Sequence, residues 1–315
     1  MRYLVELLVS DLLIYGEKDN SKIVYFLILL LSICSIWFCF SNDLYDLLIE
    51  GGVNSSSNFL PLILIALFRT LCAYLAFHSL FFWMILDKKG GFMYAHFYEK
   101  RESLPHKIWG LNRLVPFSSW NVLIFSLTFI LLSIISWMEV LKLNPPEFIH
   151  IIATILFSIS LAMTTLTATI VTYLIIPTAI KKRETYDYLF EKHQMVMHNW
   201  VLIFIIADVI ITTPSLAWEF AVFGIMIGIV YSIFANFYAV YGGGFYVYHF
   251  IDSRLKFAPI IMTLLGLMIA LFYIFVWIGL KILDWNYFIG SLIFIVWVYS
   301  IVLFKPKLFD KKSLQ

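Results

Sequence analysis

Charge is scarce in this 315-residue chain. Asp, Glu, Lys and Arg together supply 13% of it, about half the share of a soluble domain. The net charge is +2, which gives no basic field to gather nucleic acid, so no nucleic-acid partner is expected. Cysteine is scarcer still. Cys34, Cys39 and Cys72 all lie inside apolar runs, which excludes a secreted disulfide framework. No Cys/His spacing suits zinc, and no metal or cofactor is expected. A cleavable signal peptide wants a basic start and a short apolar core, whereas Glu6, Asp11, Glu17 and Asp19 precede the first long apolar run, so none is read. Internal repeats, low-complexity tracts and soluble-looking segments are lacking too.

Apolar residues fill the space that charge leaves. They make up 62% of the chain, against roughly 45–50% in soluble domains, and the mean hydropathy is +0.91. A water-soluble globule of this size has no core large enough to hide that surface. Eight runs, 22–40, 59–86, 117–138, 148–178, 198–213, 219–241, 257–281 and 286–304, approach or exceed the ~20 residues a bilayer-crossing helix needs. Residues 3–15 read as a helix lying on the membrane surface. Lys and Arg fix the orientation. Three lie in the N-terminal segment through Lys22, six in 87–116, four in 179–197, two in 242–256 and four in the tail, nineteen in all on one face. The other face has Lys142 and Lys281, and Arg69 sits within a span. The expectation is an all-α integral membrane protein of eight transmembrane helices with both termini cytosolic. It forms a single domain over 1–315, in the endoplasmic reticulum or plasma membrane. On the opposite face, Asn54-Ser55-Ser56 is a formal N-glycosylation acceptor.

Ionisable side chains inside a bilayer are costly and mark functional candidates until they are paired. Arg69 and Asp208 each lie about ten residues into their spans, ~15 Å deep at 1.5 Å per residue, and are expected to meet near the midplane. Either they clamp two helices or they line a path for substrate or protons. Ser118 opens the third span and His198 the fifth, both at the cytosolic face. A serine hydroxyl becomes nucleophilic when an imidazole takes its proton. The competing reading makes Ser118 an N-cap and His198 an interfacial residue. Asp208 lies about 15 Å along the helix from His198 and on a different face, so His78, Asn121 or Asp252 is better placed to orient the imidazole. His249 falls at the same level. Gly242-Gly243-Gly244 lacks the Lys-Ser/Thr of a phosphate loop and reads as a turn. Ser160 and the threonines at 164, 165, 167, 169 and 172 read as hydroxyls that bond their own or a neighbouring helix.

Three blocks recur in a known order: Arg113-Leu-Val-Pro-Phe-Ser-Ser-Trp-Asn121; Met197-His198 with Asp208 and Pro214-Ser215; and Tyr231-Ser-Ile-Phe-Ala-Asn-Phe-Tyr238, Gly242-Gly243 and Tyr246-Val-Tyr-His-Phe-Ile-Asp252. Together they resemble the androgen-induced/androgen-dependent membrane protein family, with the third block closest to its rolling-stone branch. The likeness covers 113–280, leaving 1–112 as N-terminal spans and a loop, and 281–315 as a last span and basic tail. It implies intramembrane hydrolysis of lipid esters, notably hydroxy-fatty-acid esters, with Ser118 at the family's threonine nucleophile, His198 at its histidine and Asp208 at its acid. The chain departs from the family pattern at Met195, Asn199, His249 and Ser253.

Two further classes of function stand beside hydrolysis. One is a non-enzymatic structural or fusion protein, or an accessory subunit, working with membrane-protein partners. The other is transport along Arg69, Asp208 and the threonine run. Membrane lipids are expected partners in all three.

Overall fold

The computed structural model describes residues 13–181 and 186–305. Most of the surface helix expected over 3–15 therefore lies outside the described residues, as do Lys182, Arg183, Lys307, Lys311 and Lys312. Tyr15, at the end of that stretch, forms an antiparallel bridge with Leu255.

Among the described residues, seven helices are long and apolar enough to cross a membrane: α1 (Ser21–Ser41), α3 (Leu62–Ile85), α4 (Phe117–Val140), α5 (Glu147–Lys181), α6 (Lys192–Thr212), α7 (Trp218–Tyr241) and α8 (Ala258–Trp285). Two shorter helices accompany them, α2 (Leu44–Glu50) and the apolar α9 (Tyr287–Ile301). The protein is mostly helical with membrane-length apolar helices. α3, α4 and α5 each begin directly after a proline, whose fixed φ and missing N–H suit the entrance to a helix. Asn286 turns the chain from α8 into α9 by accepting the Ile289 N–H at 3.0 Å, a side-chain N-cap. The close return needs Gly290, where a Cβ would lie 2.5 Å from the Leu283 Cα.

α5 is the central staff, with 67% of its apolar window buried, while α1 lies at the periphery with 17%. α3 and α4 are stapled by Thr70, whose hydroxyl pairs with Ser133 at 2.7 Å and accepts the Trp137 indole N–H at 2.9 Å.

The all-α expectation is incomplete. β1 (Gly91–Phe97) and β2 (Glu102–Ile108) form an antiparallel hairpin, and β3 (Phe245–Tyr246) adds to β1, giving the order β2-β1-β3. This sheet gathers the basic segments at one end of the bundle. Lys256 N–H donates to Ile14 C=O at 2.9 Å, Phe92 contacts Tyr188 edge-on at 5.7 Å, and Arg113 meets His193 at 2.8 Å. The opposite end is tied by the mutual backbone bonds of Gly52 and Ser215.

The helices also depart from ideal winding. Ser79–Ile85, Val171–Ile175 and Val196–Trp200 are π-helical, a rare winding that occurs mostly at functional sites. All three lie in the basic half of the bundle. The fifth span begins at Lys192 rather than at 198, which places His198 within it and not at its mouth.

Candidate functional site

A cavity of about 420 Å³ occupies the basic half of the bundle, within the range of pockets that take one small molecule. Residues of all three π-helical turns reach its wall, among them Met84, Leu174 and His198. Most of the wall is apolar. Its polar members include Ser118, Thr167, Gln194, His198 and Tyr248. The structure thus brings Ser118 and His198 to one chamber. α4 and α6 meet there directly, since Asn121 Nδ2 donates to the Met197 C=O at 3.4 Å.

Each of the two has its own surroundings. His198 Nε2 lies 3.0 Å from Gln194 Oε1, one helical turn earlier. With that amide oxygen as acceptor, Nε2 carries the proton and Nδ1 holds a lone pair. The ring is 5% exposed, and Nδ1 is buried with no hydrogen-bond partner. The Ser118 hydroxyl and the backbone N–H groups of Phe117 and Ser118 face the Tyr248 phenol. These are the first N–H groups of α4, which have no partner inside the helix. Burial pushes the Tyr248 phenol above its ordinary pKa, against the opposing pull of the Ser118 hydroxyl and the backbone N–H groups. No hydrogen bond joins Ser118 to His198 among the described residues.

The other singled-out residues fall elsewhere. Asn121 does not orient the imidazole. It accepts from Thr164 at 2.8 Å and donates to Thr167 at 3.1 Å, a polar knot against α5. His78 is outside the cavity, stacked on Phe82 at 4.8 Å and edge-on to Trp83 at 5.2 Å, because its face of α3 turns away from α4. His249 and Asp252 belong to a second cluster under the sheet. There His249 stacks on His96 at 3.9 Å, and Asp252 takes Arg254 Nε at 2.9 Å. Tyr15 O–H donates to Asp252 at 2.8 Å, so its oxygen accepts from His96 Nε2–H at 2.6 Å, and His96 Nδ1 accepts from Ser103 at 3.0 Å. Burial, aided by neighbouring His249, pushes His96 down to about 4. Burial raises the Asp252 carboxyl, but Arg254 and Tyr15 hold it below the usual carboxylate range.

Arg69 and Asp208 do meet, in a two-pronged pair of 2.7 and 2.9 Å. Their depth differs from the expectation. Asp208 stands four residues from the end of α6, so the pair lies about 6 Å from that helix end, not at the midplane. The segment 51–57 folds inward to meet it. Ser55 and Ser136 accept from Nη1 at 3.0 and 2.9 Å, and the Asn54 C=O accepts from Nη2 at 2.6 Å. All five guanidinium donors are used, which makes the pair a clamp.

No protein-family model, curated protein or solved structure matches the chain. The cavity must therefore speak for itself. It holds a hydroxyl on a helix N-terminus and an imidazole with an unused nitrogen among mostly apolar walls, with Arg113 and His193 paired to each other at its edge. Those groups suit an amphiphile with a carbonyl at one end. No group of three or more His, Cys, Asp or Glu able to hold a metal occurs among the described residues. Sequence reasoning missed Gln194 and Tyr248. Gln194 was readable from its i, i+4 spacing to His198, whereas Tyr248 reaches Ser118 only through tertiary structure.

Proposed function

We propose that this chain is a membrane protein of eight crossings, with both termini cytosolic, that takes a lipid ester into the basic-end cavity and hydrolyses it. The observation that carries the reading is that the Ser118 hydroxyl and the buried His198 imidazole share one apolar chamber, with His198 Nδ1 unbonded and Nε2 held by Gln194. The resemblance of the three sequence blocks to the androgen-induced family supports the same assignment, with Ser118 at the nucleophile position.

On this reading Ser118 Oγ forms the bond to the ester carbon while its proton passes to His198 Nδ1. The α4 N-terminal N–H groups stabilise the carbonyl oxygen as it becomes negative. The ester C–O bond then breaks, and His198 returns the proton to the leaving alcohol. Water attacks the acyl-serine by the same route reversed. Positioned acid–base catalysis contributes about 10²–10⁴-fold, so Ser118→Ala and His198→Ala should each lower kcat/KM on a lipid ester by at least ~10²-fold. Both proteins should keep wild-type melting in detergent. Intact turnover in Ser118→Ala would remove Ser118 as the nucleophile.

A second reading rests on the lack of a hydrogen bond between Ser118 and His198 among the described residues. If Ser118 is only a first-turn residue of α4, the chain is a lipid-binding scaffold or an accessory subunit of a membrane complex. Ser118→Ala would then leave lipid binding and co-purifying membrane partners unchanged, and the wild type would cleave no ester.

A further inference from the structure

The cavity is longer than its polar end requires. From Ser118, at the start of α4, its wall runs down α7 and α8 to Ile269 and Ile225. Ile269 stands about 16 Å along α8 from Ala258 at 1.5 Å per residue, close to the ~15 Å of hydrocarbon in one leaflet. Three wall residues are themselves exposed, Phe92 at 38% on β1, Leu174 at 50% on the π-helical turn of α5 and Thr178 one turn further along α5. The two large ones are apolar, so the opening they mark favours a hydrocarbon chain over a polar solute. Deep in the wall are two glycines on adjacent helices, Gly228 on α7 and Gly266 on α8. A Cβ on Gly266 would meet nothing within 4 Å, and one on Gly228 would touch only Ile269 Cδ1, at 2.8 Å. Glycine costs a helix interior about 1 kcal/mol relative to alanine. Local helix packing does not require it at Gly266, since the space beside that residue is empty.

We infer that this cavity is a single-acyl-chain tunnel, entered between Phe92 and Leu174, in which Gly266 leaves the room that admits a long chain. The inference rests on the lipid-ester reading and names its acyl subsite. A Cβ at Gly266 meets open space, so Gly266→Leu narrows the tunnel from that point and raises helix propensity. Gly266→Ala narrows it less.

The test is competition between octanoyl and palmitoyl methyl ketones, uncleavable stand-ins for esters, for a fluorescent palmitoyl ketone bound to the full-length protein in nanodiscs. Mismatched apolar pockets discriminate by about 10–200-fold, so Gly266→Leu should weaken the palmitoyl ketone at least ~10-fold. Gly266→Ala should fall between, and the octanoyl ketone should be unaffected. Unchanged affinities in Gly266→Ala and Gly266→Leu overturn the tunnel while leaving lipid binding intact. Equal weakening of both ketones also overturns it. Failure of the wild type to bind either ketone overturns the tunnel and the lipid-ester reading together. The expected length selectivity without turnover of the matching esters supports the tunnel and removes hydrolysis. If Gly266→Leu does not fold, Gly266→Ala alone decides through its palmitoyl affinity.

Discussion

At the scale of single residues, the chemistry divides by how fully each polar group is used. Arg69 spends every donor, and Asp208 receives Thr212 at 3.4 Å in addition to the guanidinium. A closed set of this kind fixes helices and offers nothing to a passing ion, which argues against transport through the pair. Removing one member leaves the other charge buried and alone, at a cost of about 3–5 kcal/mol. Asp208→Asn should therefore lower the melting temperature in detergent sharply. Arg69→Met combined with Asp208→Leu should regain most of the loss, because replacing a buried pair by apolar side chains is often neutral or better. A double variant less stable than Asp208→Asn would show that Ser55, Ser136 and the Asn54 carbonyl need the guanidinium more than the aspartate does. His198 is the contrasting case, since its orphaned nitrogen is poised for a reacting proton. Gln194→Ala should lower turnover while leaving acyl-ketone affinity unchanged, a kcat effect measured by steady-state kinetics. Gln194→Glu should partly restore turnover, because its carboxylate can also accept from Nε2–H.

At the scale of elements, the N-terminal segment is strapped to the sheet. Asn20 Nδ2 donates to Leu255 and Lys256 carbonyls at 3.1 and 2.8 Å, and Tyr15 joins His96 to Asp252. His96 faces Tyr15 from the N-terminal segment, Ser103 from β2, and His249, Asp252 and Arg254 from the 242–257 segment. Its ordinary pKa of 6.5 falls to about 4 in the fold, so the unfolded chain takes up the proton first. The strap's stability is full above pH 6.5 and declines as pH falls toward 4, by up to about 3 kcal/mol at ~1.4 kcal/mol per pKa unit. Hydrogen exchange of residues 13–20 should quicken over that window, and His96→Phe should flatten the dependence.

The long apolar runs and the Arg69–Asp208 pair were legible because length and charge are local properties of the chain. The sheet was not. β1 alternates Phe92, Tyr94 and His96 within a basic loop, and its partner β3 contributes only two residues, too short to announce itself. The π-helical turns that place His198 depend on packing and leave no pattern in sequence. At the site, Ser118 and His198 could be named from their chemistry and Gln194 was within reach of the i, i+4 rule, but Tyr248 became visible beside Ser118 only once the segments were brought together.

At the scale of the whole molecule, the topology turns on whether the last helix crosses. α9 has fifteen residues, about 22 Å against ~30 Å of hydrocarbon, so by length alone it could dip into the membrane and return. Its far end, however, is pinned to the basic end. Asn199 donates to the Leu303 C=O at 2.8 Å and accepts its N–H at 3.2 Å. Thr172 donates to the Ile301 C=O at 2.6 Å, and Phe304 lies edge-on to Trp200 at 5.3 Å. If α9 crosses, as the eight-span proposal requires, the stretch after the helix supplies the length the helix lacks. Single cysteines in a variant with Cys34, Cys39 and Cys72 replaced by alanine would read this out with an impermeant maleimide in sealed, oriented vesicles. Glu99→Cys, on the hairpin turn, and Lys305→Cys should label from the cytosolic face, and Asn58→Cys from the other. If Lys305→Cys labels with Asn58→Cys, α9 does not cross and the even span count falls. The basic tail would then lie across the membrane from the sheet, against the side that Lys and Arg select.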